Sequence, residues 1–438
     1  MKSTEFAQVF TRAALAEMFT RAALAATVFV AVPSLLRAQP GVFYPDKVTI
    51  VPEGTIITPG SSQFGPEDEG FVMHTNVELF QPKNHPHLYN SSPSGKFENP
   101  ASLACVYGVT PMVTGCNPET LTTVATGGSR AIAIVDAFDD PNVMSDLNVY
   151  SAQYGLPAIT ADNFQVVYAT GTQPAQDPTG GWEVEESLDV DMAHALAPNA
   201  KIIFVEAASN SGADLIMAEK VAAKMVEAAG GGEVSNSWGG HEFKGEERFE
   251  QFFAKPRVVF FASAGDHPGT EFPSVMSRVV SVGGTVIQRS SEGDYMAEVS
   301  WPATGGGKSK VVKTPAYQSV IASIVGHRRG VPDISLDASP VSGVWIYDTI
   351  PSHGTVLKWT TVGGTSVASP ASAALVNNAG HFNKTSIAEL TEIYANYGDA
   401  EDFRDITAGV CNNGGETMAV VGWDFCTGVG SLFGTGGK

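Results

Sequence analysis

Short apolar segments alternate with helical patterns along most of the chain after residue 127. The apolar segments are continuous, which is typical of strands in a parallel sheet covered on both faces. The predicted strands are Arg130–Val135, Phe164–Tyr168, Lys201–Glu206, Glu233–Trp238, Arg257–Ser263 and Val279–Val282. The predicted helices between them are Val143–Tyr154, Glu185–Leu196 and Ala213–Ala229. This alternation predicts an α/β fold with a mostly parallel sheet and helices on both faces.

The first 38 residues have the pattern of an export signal. Lys2, Arg12 and Arg21 supply positive charge, an apolar run covers 22–36, and Leu-Arg-Ala at 36–38 precedes a predicted cleavage point. The run is shorter than the roughly 20 residues of a membrane-spanning helix. We therefore expect a signal peptide at 1–38, a secreted protein and no membrane span, with a buried amphipathic helix as the alternative.

Residues 39–125 are rich in proline, asparagine, serine and glycine and show little periodicity. This composition predicts a short irregular leader, or a reduced pro-segment, in front of one large α/β domain at 126–438. The expected division of the chain is therefore 1–38, 39–125 and 126–438.

The charge balance argues against one class of function, nucleic-acid binding. The chain has 46 acidic and 26 basic residues and a formal net charge of −20. Proteins that bind nucleic acid normally present a basic surface, so we expect no nucleic-acid partner. Few basic side chains also suit a protein that meets acid, because protonating its carboxylates leaves little positive self-repulsion.

Four cysteines lie in two close pairs. In an exported chain this even number predicts two local disulfides, Cys105–Cys116 and Cys411–Cys426, although four cysteines allow three connectivities.

A glycine turn followed by a helix presents the first candidate for chemistry. Residues 363–370 read Gly-Gly-Thr-Ser-Val-Ala-Ser-Pro. Because Pro370 fits the first turn of a helix, Ser366 is expected at or just before the helix start, exposed at the positive end of the helix dipole. A nucleophile is favoured at such a place. The alternative is that Thr365 or Ser366 only caps the helix.

Paired carboxylates offer a base for that serine. Glu185 and Asp189 are four residues apart and share one face of a predicted helix. Like charges so close raise at least one pKa and can share a proton, which tunes a base for acid conditions. The alternative is a solvated acidic helix face.

Asp266 follows a buried strand within Ala264-Gly265-Asp266. Side chains at the carboxyl ends of parallel strands lie where α/β proteins bind ligands. A protonated Asp266 can donate a hydrogen bond to an oxyanion, whereas an ionised one would repel it. A turn-capping role is the alternative.

Together these motifs resemble the sedolisin (serine-carboxyl peptidase) family. The similarity covers about residues 127–430 and extends to further segments in the family's chain order, namely Ala197-Pro198, Ser237-Trp238-Gly239-Gly240, Val282-Gly283-Gly284-Thr285 and Arg329-Gly330-Val331-Pro332-Asp333. The resemblance implies a subtilisin-like fold.

The resemblance also implies a role for each matching residue. Ser366 would be the nucleophile, Glu185 its general base and acid, and Asp189 the partner that orients Glu185 and shares its proton. Asp266 would be the oxyanion donor. Asp136 and Trp238 would be outer members of the same hydrogen-bond network. The expected activity is a secreted, acid-acting endopeptidase with protein or peptide substrates, working as a monomer.

A structural calcium site is also implied by the family's C-terminal loops. The matching positions are the carboxylates of Asp405 and Asp424 and the carbonyls of Ile406, Val420 and Gly422. These ligands form the all-oxygen set that a hard cation prefers.

The chain departs from the family pattern in two places. Residues 39–125 are shorter than the usual pro-domain, and His267-Pro268 follows Asp266 where small residues are expected. Two rival interpretations remain. One is a Ser-His-Asp enzyme of subtilisin type using Ser366, Asp136 and His194, although His194 is expected on the helix face opposite Glu185. The other is a catalytically inactive relative that acts as a binding protein.

Overall fold

The structure is a computed structural model, and it describes residues 53–63, 72–83, 93, 95, 97–113, 115–352, 354–412 and 417–438. The predicted signal peptide at 1–38 lies outside these residues. Among the described helices, none has the length and apolar character needed to cross a membrane.

The secondary structure follows the predicted alternation. The strands, numbered in chain order, are β1 (Gly54–Ile57), β2 (His74–Thr75), β3 (Glu78–Pro82), β4 (Ala131–Ala137), β5 (Phe164–Tyr168), β6 (Lys201–Ala207), β7 (Gly232–Asn236), β8 (Trp238–His241), β9 (Val258–Ser263), β10 (Glu271–Phe272), β11 (Val280–Arg289), β12 (Tyr295–Ser300), β13 (Gly307–Lys313), β14 (Arg328–Val331), β15 (Ile334–Asp337), β16 (Val344–Ser352), β17 (Thr355–Gly363), β18 (Phe403–Arg404) and β19 (Ser431–Leu432). The helices are α1 (Pro100–Val106), α2 (Val143–Tyr154), α3 (Gly181–Leu196), α4 (Gly212–Ala228), α5 (Ala322–Val325), α6 (Thr365–Ala379) and α7 (Ser386–Ala395).

The central sheet has eight strands in the order β12-β11-β9-β7-β4-β6-β5, with β15 also paired to β11. All of its pairings are parallel except that of β11 with β12. Strand β4 is buried along its whole length. Its Ile132 and Ile134 belong to the core cluster that includes residues of α2, α3 and α6, while Ala133 and Val135 pack with α4 on the other face. The predicted α/β architecture is confirmed.

One helix begins earlier than its apolar pattern indicates. The apolar pattern predicts a start at Glu185, whereas α3 begins at Gly181. The Asp177 carboxylate accepts hydrogen bonds from the backbone N–H groups of Gly181 and Trp182, which satisfies donors that the first turn leaves unpaired. Glu185 therefore lies in the second turn of a capped, fully buried helix.

The described part of 39–125 is not irregular, contrary to expectation. Strands β1 and β3 join β16 and β17 in a four-stranded sheet, and β2 pairs with β8. Helix α1 packs into the main core and is capped by Asn99. These elements are short and take their partners from the large domain, so they carry no periodicity of their own. The division into 1–38, 39–125 and 126–438 remains a prediction.

Both expected disulfides are present. The structure joins Cys105 to Cys116 with the two Cα atoms 5.5 Å apart, and Cys411 to Cys426 with the Cα atoms 5.4 Å apart. The paired cysteines are 11 and 15 positions apart in the sequence, so each disulfide closes a local loop.

Candidate active site

The turn before α6 holds Ser366 in a constrained position. Gly364 has φ +110°, and a Cβ there would come within 1.9 Å of the carbonyl oxygen of Asn76, so only glycine fits. The helix continues through Pro370, which lies in its second turn rather than its first. Pro370 has no N–H to bond the carbonyl of Ser366, and the Ser237 hydroxyl lies 3.4 Å from that carbonyl oxygen.

Helix α3 brings its two acids to this serine. The Ser366 hydroxyl donates to the carbonyl oxygen of Ser237 at 3.1 Å and lies beside the Glu185 carboxyl, whose two oxygens have no hydrogen-bond partner among the described residues. Asp189 interacts with Glu185 and accepts a 2.8 Å hydrogen bond from the Ser237 hydroxyl. The helix spacing therefore places Glu185 and Asp189 together beside Ser366. Ser237 was not singled out from the sequence, although it begins the Ser-Trp-Gly-Gly motif.

Burial dominates the electrostatics of this acid cluster. It raises the pKa of Glu185 well above its ordinary value; the charges of Asp189 and Asp136 raise it further, and the nearby Ser366 hydroxyl lowers it. Burial likewise raises the pKa of Asp189, and that of Asp136 to about 8. Because neighbouring carboxylates disfavour a second charge, protons are shared within the cluster.

Asp266 lies across the turn from these acids. Its Oδ1 accepts hydrogen bonds from the backbone N–H and the hydroxyl of Thr365, at 2.7 and 2.8 Å. Its Oδ2 has no hydrogen-bond partner among the residues that the structure describes. Burial, and then the charge of Glu78, raise the pKa of Asp266 well above its ordinary value. The group is therefore neutral in acid, with Oδ2 as the oxygen left to carry the proton.

Trp238 and Asp136, the predicted outer members of the hydrogen-bond network, are connected to the site in different ways. The indole of Trp238 donates a 3.0 Å hydrogen bond to the carbonyl of Val135, next to Asp136 at the end of β4. Asp136 is fully buried and acts electrostatically on Glu185 and Asp189. Neither of its carboxyl oxygens has a hydrogen-bond partner within the described part of the chain, so its link to the pair is one of charge.

His194 lies outside the site. It is buried, its Nε2 is 2.9 Å from the carbonyl oxygen of Pro157, and burial lowers its pKa. His194 is therefore a packed histidine on the face of α3 opposite Glu185. The geometry gives the Ser-His-Asp alternative no support.

Ser366 is fully buried, contrary to the exposed position expected from the sequence. The cover is an extended segment of the same chain, residues 72–80. Within it, the carbonyl oxygen of Asn76 accepts a 3.1 Å hydrogen bond from the backbone N–H of Ser366. The helix-start signal at 363–370 describes a local turn and contains no information about a distant strand lying over it.

The C-terminal loops bring Asp405 and Asp424, two of the expected calcium ligands, to the turn at 420–424. Asp424 accepts a hydrogen bond from the N–H of Val420, and Asp405 accepts one from the N–H of Gly422, both at 2.8 Å. Burial raises the pKa of Asp424 to about 6. The described residues contain no group of three or more His, Cys, Asp and Glu side chains arranged for a metal. Two carboxylates completed by backbone carbonyls fit a hard cation, and the metal itself remains a prediction.

Buried acids are expected to make the fold more stable in acid than at neutral pH. Burial raises the pKa of Glu219 to about 8 and that of Glu206 to about 9. Between the ordinary carboxyl pKa near 4 and these values, the folded state binds more protons than the unfolded state, so stability is lost as pH rises. Each pKa unit corresponds to about 1.4 kcal/mol.

Denaturant unfolding of the Ser366→Ala chain, which avoids self-digestion, tests this dependence. The free energy of unfolding should fall between about pH 4 and pH 8. Glu219→Gln should weaken the dependence, whereas Glu247→Gln, at an exposed position, should leave it unchanged. A free energy that stays constant or rises over that range would contradict the expectation.

Comparisons with known proteins show which proteins this chain resembles. It is 31% identical over 351 residues to kumamolisin from Bacillus sp. (strain MN-32), covering 70% of this chain and 59% of the relative. It is 25% identical over 358 residues to sedolisin from Pseudomonas sp. (strain 101), covering 73% of this chain and 60% of that protein. The chain thus spans about three fifths of the length of these relatives. No family model matches.

A solved structure shows the same fold. Pseudomonas sedolisin, a serine-carboxyl proteinase complexed with two molecules of pseudo-iodotyrostatin, superposes with a TM-score of 0.61 at 22% identity, covering 78% of this chain and 96% of that one. The fold and the site together define a subtilisin-like protein whose serine faces carboxyl groups. The chain belongs to the sedolisin, or serine-carboxyl peptidase, family.

Proposed function

We propose that the protein is an acid-acting serine-carboxyl endopeptidase. The observation that carries this proposal is the grouping of Ser366, Glu185 and Asp266 around one carbonyl-binding position. The backbone N–H of Ser366 already holds a peptide carbonyl there, and the Ser366 hydroxyl lies beside the Glu185 carboxyl. A nucleophile, a base and oxyanion donors that meet at one point suit acyl transfer.

The geometry supports the following sequence of steps. The Ser366 hydroxyl attacks the peptide carbonyl while Glu185 accepts its proton and Asp189 holds Glu185 in place. The Ser366 N–H and the proton on Asp266 Oδ2 stabilise the oxyanion. Glu185 then returns the proton to the leaving amine. Water hydrolyses the acyl-enzyme with Glu185 again acting as base.

The length of the cleft favours internal cleavage over removal of short N-terminal peptides. The backbone of Met73, three residues before Asn76, donates a 2.8 Å hydrogen bond to the Asn210 carbonyl, and Val72 bridges to Ser211. The cleft therefore holds more than three residues on the amino side of the carbonyl-binding position. A cleft that holds an extended chain past this point suits an endopeptidase acting on protein or peptide substrates.

Digestion of acid-denatured serum albumin at about pH 4 tests the proposed activity. Wild type should produce internal fragments, and Ser366→Ala should produce none. Ser369→Ala is a matched control on the same helix, because the Ser369 hydroxyl bonds to Ser235 rather than to the acids. Albumin left intact by wild type across pH 2 to 6 would favour the inactive binding relative.

We also propose a structural calcium ion at the C-terminal loops, held by the carboxylates of Asp405 and Asp424 with the carbonyls of Ile406, Val420 and Gly422. When bound, the ion would neutralise the two carboxylates and join the loops that carry them. The Cys411–Cys426 disulfide braces this region independently. The site lies in a structural loop and supplies no group to the proposed reaction.

Removal of calcium is expected to lower the melting temperature. Binding stabilises the folded state by about 2.7 kcal/mol when free calcium is about a hundred times Kd. Chelator should therefore destabilise the Ser366→Ala chain and have little further effect on the same chain carrying Asp405→Ala. A melting temperature that neither chelator nor added calcium changes would contradict the assignment.

The protein is proposed to be secreted and monomeric. The two disulfides support an oxidising compartment. The predicted signal at 1–38 supports export, and a large acidic excess suits a protein that works in acid.

A further inference from the structure

The two-stranded sheet of β13 and β14, here called the basic sheet, concentrates positive charge in an acidic protein. The chain has a formal net charge of −20, yet residues 299–332 contain no acidic side chain. The basic residues of the two strands are Lys308, Lys310, Lys313, Arg328 and Arg329. A local excess of one charge against the sign of the whole chain needs a reason in packing or in binding.

Packing accounts for one of these residues. Arg329 is fully buried and forms an ion pair with Asp333 at 2.7 Å. Because successive residues of a strand point to opposite faces, its neighbour Arg328 points outward, and Arg328 is exposed. The core therefore uses Arg329 and leaves Arg328 to the surface.

Strand β13 turns its lysines to the surface in the same way. Ser309 and Val312 are buried, whereas Lys308, Lys310 and Lys313 are exposed. In a regular strand, residues five apart point to opposite faces. The pairing with β14 shifts in register between Lys308 and Lys313, and this irregularity allows both side chains to be exposed.

The register also places two cations directly opposite each other. Lys313 is the cross-strand partner of Arg328. Like charges in this position destabilise an antiparallel pair. Within the described part of the chain, neither side chain forms an ion pair with an acid, and Arg328 donates one N–H to the carbonyl oxygen of Val311. An anion at this pair would relieve the repulsion.

An open cavity of about 440 Å³ lies beside this pair. Its lining consists of Lys313, Thr314, Gly326, His327 and Arg328, with no acidic side chain among these described residues. The N–H of Thr314 donates to the carbonyl of His327 at 3.3 Å, and the Thr314 hydroxyl donates to the carbonyl of Gly326 at 2.9 Å. Bonds within the lining thus hold together a cavity rich in nitrogen donors.

Glu242 is an acid that contacts the basic sheet. Its carboxylate accepts hydrogen bonds from the backbone N–H groups of Lys310 and Val311 and from the hydroxyl of the buried Ser309. Among the described residues, its carboxylate forms no ion pair with the Lys310 ammonium group. Glu242 therefore holds the backbone of β13 and does not pair with the exposed lysines.

The basic sheet begins next to the candidate active site. The N–H of Gly305 donates to the carbonyl of Gly265, and the N–H of Gly306 donates to the carbonyl of Gly269, both at 2.7 Å. These bonds join the start of β13 to the loop that carries Asp266. A ligand bound along the basic sheet is therefore held near the cleft.

We propose that the basic sheet binds phosphate or sulfate ester groups carried on an extended polymer. Lys313 and Arg328, with His327 beside them, hold one group in the cavity, while Lys308 and Lys310 contact neighbouring groups. Ester groups of strong acids fit because they stay ionised near pH 4, where an ordinary carboxylate is about half protonated. A guanidinium group matches the geometry of such oxyanions.

Binding of fluorescein-labelled dextran sulfate to the Ser366→Ala chain tests the proposal at about pH 5, where most exposed carboxylates are ionised. Fluorescence anisotropy should show binding that weakens steeply with added salt, because a polyanion releases counterions when it is bound. Uncharged dextran should not bind. The Ser366→Ala background keeps the measurement independent of the proposed peptidase function.

Paired substitutions locate the site. Lys313→Gln with Arg328→Gln should weaken dextran sulfate binding at least tenfold, and Lys313→Arg alone should retain it. The matched control is Lys224→Gln with Lys384→Gln, which removes the same charge from exposed positions outside the basic sheet and should change the affinity by less than about twofold. Circular dichroism shows whether each variant is folded.

Free sulfate distinguishes the two sources of the anion. Sulfate stabilises folded proteins in general, so its effect on the melting temperature is compared with that of chloride at equal ionic strength in all three chains. An extra rise that the Lys313→Gln/Arg328→Gln chain lacks and the control chain keeps would support the cavity as an oxyanion site. Such a rise without binding of dextran sulfate would overturn the polymer as the source.

Two results would overturn the inference as a whole. One is the absence of both dextran sulfate binding and the extra sulfate effect in the Ser366→Ala chain. The other is equal weakening of dextran sulfate binding in the two doubly substituted chains, which would assign the attraction to overall charge. Neither result bears on whether the protein is a peptidase.

Discussion

Replacing Glu185 by alanine is expected to lower kcat by about 10³- to 10⁴-fold or more, the scale seen when one member of a cooperating catalytic set is removed. The reason is that the Glu185 carboxyl beside the Ser366 hydroxyl is the proposed proton acceptor, and Asp189 lies next to Glu185 and accepts a hydrogen bond from Ser237. Without the carboxyl, the proton has no base to receive it. Initial rates on a chromogenic peptide at about pH 4 measure the effect.

The matched control is His194→Ala on the same helix. Because His194 contacts the Pro157 carbonyl and not the serine, this variant should retain most of the wild-type kcat, apart from any loss of stability. Circular dichroism and a melting curve show whether each variant is folded. Activity retained by Glu185→Ala and abolished by His194→Ala would reverse the assignment of the base.

Removing the oxyanion donor is the second large effect. Asp266→Ala is expected to lower kcat by about 10²- to 10³-fold, the usual cost of losing one such donor. Asp266→Asn should retain much more activity, because the Asn carbonyl can accept the two Thr365 bonds while its N–H₂ takes the place of the Oδ2 proton. The comparison separates loss of a donor from general damage to the turn.

The two variants also differ in their response to pH. Wild-type activity should fall as pH rises through the raised pKa of Asp266, because the ionised form repels the oxyanion. In Asp266→Asn the donor does not titrate, so that fall should move to higher pH or vanish. An unchanged falling limb in Asp266→Asn would exclude Asp266 as its source.

The elements that carry the acids and the serine were largely predictable. Glu185 and Asp189 share a helix face by their spacing alone, and local sequence at 363–370 encodes the turn before α6. Asp266 follows a strand whose carboxyl end reaches the same edge of the sheet. In each case the information lies within a few residues, and the parallel sheet then brings the pieces together.

Local sequence does not predict that residues 72–80 cover the site. Strand β2 is two residues long, and its partner β8 lies more than 160 positions away. Such a strand has no periodicity to detect, and its stability comes from pairing with a surface that the rest of the chain builds. The burial of Ser366 and the contacts of Asn76 therefore become visible only in three dimensions. The Ser237-Trp238-Gly239-Gly240 motif matches a family segment but does not by itself indicate that the Ser237 hydroxyl bonds to Asp189.

The pH dependence of kcat/KM for wild-type enzyme, measured from about pH 2 to pH 9 on one peptide, tests the carboxyl-based site most directly. A bell is expected, whose rising limb reports ionisation within the Glu185–Asp189 pair and whose falling limb reports loss of the proton on Asp266. A rise to a plateau that persists to about pH 9, with no falling limb, would contradict it.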